Sequence, residues 1–102
     1  MTTDSSTKEL IKINTTVVPP QDFNVIYVND EVTTIEFVIE SLVMIFNHTK
    51  QRANDLTAEI HDKGSAVVAT LPFEIAEQKG VEVTMLARGN GFPLSVKLEP
   101  NA

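Results

Sequence analysis

The chain has 102 residues, with 14 Asp and Glu against 8 Lys and Arg, a formal net charge of −6, 42% apolar residues and no cysteine. That length predicts one domain, and the apolar share is too high for an acidic disordered chain. The missing cysteine excludes a disulfide scaffold, a thiol nucleophile and any Cys-based zinc or iron–sulfur site, while the acidic balance argues against a general nucleic-acid binder. The opening residues, MTTDSSTKEL, lack a basic start followed by an apolar run, so no secretory signal is read there. The longest unbroken apolar run, Leu42 to Phe46, is far shorter than the roughly 20 residues of a membrane helix. A cytoplasmic location is expected, with no membrane partner.

In chain order, residues 1–18 are rich in Thr, Ser and Lys and read as a mobile N-terminal extension. Pro19-Pro20 forms a stiff joint, because each ring fixes φ and disfavours helix at the residue before it. The folded domain is expected over 19–102. Phe23 to Val28 is β-branched and aromatic and reads as a strand, ending in the polar turn Asn29-Asp30-Glu31. Thr33 and Glu36 have the spacing of a capping box. The apolar positions Ile35, Val38, Ile39, Leu42, Val43 and Phe46 then trace one helical face.

A second helix is expected after Thr49, through Ala53, Leu56 and Ile60, with Gly64 as its stop. Ser65 to Leu71 reads as a strand. Pro72 suits the first position of a third helix, which carries Ile75, Ala76, Gly80, Val83 and Leu86/Ala87 and closes at Gly89. Leu94 to Leu98 alternates like a half-buried strand. The order β-α-α-β-α-β predicts an α+β fold, a small α/β sandwich of three helices packed on a three-stranded antiparallel sheet.

Catalytic constellations are weak. Ser41 and Ser65 stand in no G-x-S-x-G elbow. Glu36 and Glu40 fall off the apolar stripe and read as a solvated face. No metal spacing joins His61-Asp62 to Asp30-Glu31, and Gly89-Asn90-Gly91 follows a helix where a phosphate loop would follow a strand. No enzyme activity, cofactor or metal is expected. Two positions stand out instead: the Asn29-Asp30-Glu31 turn, between a strand and a helix start, and His61 near the end of the second helix.

The run Pro19-Pro20-Gln21-Asp22-Phe23-Asn24-Val25-Ile26-Tyr27-Val28-Asn29-Asp30-Glu31, followed by Thr33 and Glu36-Phe37-Val38-Ile39, resembles the opening of the ClpS adaptor family. The likeness continues through Arg52-Ala53, Ile60-His61, Gly64-Ser65-Ala66, Glu74 to Lys79 and Phe92-Pro93-Leu94, covering about 19–99 in order and spacing. It implies a non-enzymatic adaptor that binds proteins with an N-terminal Phe, Tyr, Trp or Leu and delivers them to the ClpA unfoldase of the ClpAP protease. The implied amine-binding residues are Asn29, Asp30, Glu31 and His61, and the implied hydrophobic pocket is Thr33, Ile35, Val38, Thr57, Ile60 and Leu94. Glu74 and Lys79 match family positions that contact the unfoldase N-terminal domain, and a monomer is expected.

The chemistry suits that role. A free N-terminus is mostly a cation with three donors at neutral pH, which calls for amide, carboxylate and imidazole acceptors. An apolar hole for the first side chain supplies roughly 1.5–3 kcal/mol. Three positions depart from the family pattern. Glu31 stands where Asp is common, Thr34-Ile35 where Pro-Met is common, and Thr57 where Met is frequent. The family Met at position 35 rejects β-branched first residues, and a stiff Ile35 is expected to keep that rejection. The smaller, more polar Thr57 predicts a deeper pocket favouring Tyr or Trp over Leu. The alternatives are a ClpS-like paralogue of altered specificity and a fold-related interaction domain with no such pocket.

Overall fold

The structure, a computed structural model, describes residues 21–102; the expected N-terminal extension, 1–18, and the Pro19-Pro20 joint lie outside the described residues. Alternation along β1 (Asp22–Val28) turns Val25 and Tyr27 fully inward while Asn24, Ile26 and Val28 point the other way. β1 is the central strand, antiparallel to both β2 (Ser65–Pro72) and β3 (Ser95–Pro100), in the order β2-β1-β3. Register places Val25 against Leu98 and Tyr27 against Val96 on one side. On the other, Tyr27 lies opposite Ala66, and an irregularity between Val25 and Ile26 offsets the pairing. One sheet face is therefore apolar, and it is covered by helices.

Those helices are α1 (Ile35–Met44), α2 (Lys50–Lys63) and α3 (Phe73–Gly89). The expected order and architecture are the observed ones. α3 lies across all three strands, and α1 packs on α2, which packs on β2. The buried positions of α3 are Ala76, Gly80, Val83 and Ala87, a stripe of small side chains that lets the helix sit close to the sheet. Gly80 approaches Val96 and Leu98 there. Ile75 and Leu86, expected on this face, are instead 44% and 40% exposed, because the small stripe takes the contact with the strands.

Two helix ends follow the sequence closely. Thr49 caps α2, its hydroxyl accepting from the Arg52 N–H at 3.1 Å. Gly64 ends α2 at φ 90°, a left-handed conformation that is strained for any residue with a Cβ. The start of α1 differs from expectation. Thr34, not Thr33, is the N-cap, accepting from the Phe37 N–H, because the Thr33 hydroxyl is drawn away to Asp30. Pro72 is likewise the N-cap of α3 rather than its first residue.

The inward face of α1 is also rotated from the expected stripe. Phe37, Val38, Ser41 and Leu42 are buried, as is Ile45 just beyond the helix, whereas Ile35 is 58% exposed. The polar member of that face is satisfied: Ser41 Oγ donates to the Val38 carbonyl at 2.8 Å and lies 2.8 Å from the Tyr27 hydroxyl. With the Ser41 hydrogen committed, the phenol is the donor of that second bond. Burial pushes the Tyr27 phenol well above its ordinary value, outweighing the Ser41 contact.

Candidate functional site

The turn after β1 is organised by Asp30. One carboxylate oxygen accepts from the backbone N–H of Val32 at 2.8 Å and of Thr33 at 2.7 Å, and the other accepts from the Thr33 hydroxyl at 2.7 Å. Such Asx geometry is the reason Asp recurs in turns. Partial burial raises the Asp30 pKa, but the bonds from Thr33 and Val32 and the charge of Arg88 outweigh it, so the carboxyl lies below its ordinary value. Asp30 is thus held as an anion at neutral pH. Arg88, on the last turn of α3, donates from one guanidinium nitrogen to the carbonyls of Phe92 and Leu94 at 2.9 and 3.0 Å. It thereby fixes the segment entering β3.

The same turn is tied to the end of α2. The Asn29 N–H donates to the Gly64 carbonyl at 2.9 Å, and the Gly64 N–H donates to Ile60. His61 lies one turn before Gly64, so the imidazole and the Asn29-Asp30-Glu31 turn belong to one end of the molecule. That end is a helix C-terminus, whose partial negative charge favours a cation. Asn29, Glu31 and His61 are exposed.

Between α1 and α2 runs a cleft of about 250 Å³ lined by Ile35, Ile39, Asn54, Thr57, Ala58, His61 and Asp62. It brings together three of the sequence-derived residues: Ile35, Thr57 and His61. The exposure of Ile35 now has a reason, since its side chain lines the cleft and not the core. Val38, Ile60 and Leu94 are 7%, 4% and 1% exposed and belong to the core, and they do not line this cleft. Thr33 is engaged with Asp30 instead. The Thr57 hydroxyl donates to the Ala53 carbonyl at 2.7 Å, so its hydrogen is spent within its own helix.

Sequence reading missed Ile39, Asn54, Ala58 and Asp62 as cleft residues. Stepping back from His61 by three, four and seven residues reaches Ala58, Thr57 and Asn54, so helical periodicity anchored on His61 was the signal that would have found this face. Of the two positions expected at the partner surface, Glu74 is exposed in the first turn of α3. Lys79 is not a free surface charge. Its ammonium donates to the Ile45 carbonyl at 2.7 Å, at the C-cap of α1, and lies 5.8 Å from the centre of the Phe46 ring.

A second cleft of similar size lies between α3 and the edge strand β3, lined by Glu77, Gly80, Val81, Thr84, Met85, Val96 and Leu98. No helix among the described residues is long and apolar enough to cross a membrane, and no cluster of three potential metal ligands occurs among them.

Comparison with known proteins gives a consistent picture. A family model described as ATP-dependent Clp protease adaptor protein ClpS matches residues 18–97. An ATP-dependent Clp protease adapter protein ClpS of Shewanella loihica is 40% identical over 88 residues, 86% of each chain. The solved structure of Agrobacterium tumefaciens ClpS2 bound to L-phenylalaninamide superposes with a TM-score of 0.79 at 35% identity, covering 81% of this chain and all of that one.

Proposed function

The chain belongs to the ClpS family of Clp protease adaptor proteins, and from that premise we propose that it captures proteins by a free N-terminal Phe, Tyr, Trp or Leu and hands them to a ClpA-type unfoldase. One observation carries the reading: the cleft between α1 and α2 opens at the end of α2 to which the Asn29-Asp30-Glu31 turn is tied. Charge recognition and side-chain recognition thus share a single place. The bound phenylalaninamide of the Agrobacterium relative, a free amine beside a bulky apolar side chain, is the chemistry such a place takes.

In this reading Asn29, Asp30, Glu31 and a ring nitrogen of His61 accept the hydrogens of the ammonium group. Asp30 supplies a fixed charge, because its turn is already ordered before any ligand arrives. Each charge-assisted bond contributes ~1.5–3 kcal/mol, and an internal or acetylated residue cannot form them. Ile35 and Thr57 flank the entering side chain, over the buried packing of Val38, Ile60 and Leu94. Glu74 on the exposed start of α3 contacts the unfoldase N-terminal domain, and Lys79, held on the Ile45 carbonyl, borders that surface. The adaptor works as a monomer in the cytoplasm.

The test is fluorescence anisotropy with labelled peptides beginning Phe, Tyr, Trp, Leu, Ile and Met, beside an N-acetylated Phe control. Binding to the first four that acetylation removes is the expected result. Equal binding of free and acetylated Phe would refute the amine mechanism, and binding of Ile as tight as Leu would refute the gate assigned to Ile35.

A further inference from the structure

The cleft is longer than an amine site requires, and its far end is polar. Asn54, Ala58, His61 and Asp62 lie on one face of α2, with Asn54 two turns before His61, which separates their levels by ~10 Å along the helix axis. An amine held at the His61 end directs the first side chain toward Asn54. Between the two stand Ile35, Ile39 and Ala58, which offer apolar surface to a ring. Thr57 also lines this stretch, but its hydroxyl hydrogen is committed to Ala53 and the residue is only 8% exposed. Asn54 differs on both counts. It is exposed, and among the described residues its side-chain amide has no hydrogen-bond partner.

We propose that Asn54 is a specificity-determining residue of this cleft, whose side-chain amide bonds the polar atom at the distal end of the first residue, the phenolic hydroxyl of Tyr or the ring N–H of Trp. This inference rests on the amine-binding reading above and extends it. The amide offers both an acceptor and two donors. Phe and Leu have no distal polar group, so they leave the amide in water and gain nothing from it. The polar selectivity that the sequence suggested for Thr57 is therefore carried by Asn54, while Thr57 contributes by being small.

The experiment compares anisotropy titrations of two labelled peptides that differ only in the first residue, Phe or Tyr, on the native chain, Asn54→Ala and Asn54→Asp. Alanine at an exposed helical position favours the helix, so folding is not at stake. The ratio of Tyr to Phe affinity is expected to fall ~3- to 10-fold in Asn54→Ala, the range of one neutral hydrogen bond. Asn54→Asp, which keeps an acceptor for the phenolic hydroxyl, retains the ratio. An unchanged ratio in Asn54→Ala, with Phe still bound by the native chain, overturns this inference and leaves the parent reading standing. A native chain that binds neither peptide overturns both.

Discussion

Asp30 illustrates how one carboxylate can order a loop and remain charged. Three donors from Thr33 and Val32 converge on it, and Arg88 adds its field. Because its folded pKa is depressed, its contribution to stability is fully present above the unfolded value of about 3.9 and is lost as pH falls through the lower folded value. Asp30→Asn keeps an acceptor for the two backbone donors but loses the one for the Thr33 hydroxyl. Urea unfolding should therefore show native and Asp30→Asn chains separated by a constant margin from neutral pH down to the ordinary carboxylate range, with the margin narrowing as pH falls below about 3.9. A margin independent of pH would mean that the carboxylate charge is immaterial to the turn. The role of this residue was legible only in part. Position and residue type marked the turn, but the sequence also offered Thr33 to a helix cap, and the structure gives that hydroxyl to Asp30 while Thr34 caps α1. Two adjacent threonines are equivalent in a capping pattern, and only the competing acceptor separates them.

At the scale of elements, α1 is held from three sides. Its inner face meets Tyr27 through Ser41, Ile35 and Ile39 line the cleft shared with α2, and Lys79 of α3 closes its C-terminal end at Ile45. Lys79→Ala should lower stability by about 1–2 kcal/mol, a partly exposed ammonium–carbonyl bond being worth somewhat less than a buried one, and should weaken unfoldase binding with it. Glu74→Gln, on an exposed side chain, should weaken unfoldase binding with only a small fall in melting temperature, from the lost anion at the helix N-terminus. Thermal melts beside a binding titration separate the two, and a Lys79→Ala chain of native stability would contradict the capping role. Strand and helix order and the Thr49 and Gly64 boundaries were readable from periodicity and turn chemistry, whereas the face of α3 was readable only in part, since spacing sets Ile75 and Leu86 on it with the small residues that alone are buried. The rotation of α1 was not. Ile35 fits an apolar stripe as well as a cleft wall, and apolar spacing alone does not say whether an outward residue meets a sheet, a neighbouring helix or a ligand.

For the whole molecule, the sheet puts its apolar face under α3 and leaves α1 and α2 beside it with a cleft between them. A second cleft, between α3 and β3, competes on shape alone and includes Val81 and Met85, which are 52% and 70% exposed. What distinguishes the α1–α2 cleft is its junction with the Asn29-Asp30-Glu31 turn through the bond from Asn29 to Gly64. The most direct measurement is a ¹H–¹⁵N correlation spectrum of the full chain titrated with L-phenylalaninamide, with N-acetyl-L-phenylalaninamide as control. The free amine should shift amides of residues 29–35 and 54–64 and the acetylated compound should not. Shifts centred on Val81, Met85, Val96 and Leu98, or the same shifts from both compounds, would contradict the assignment of the site.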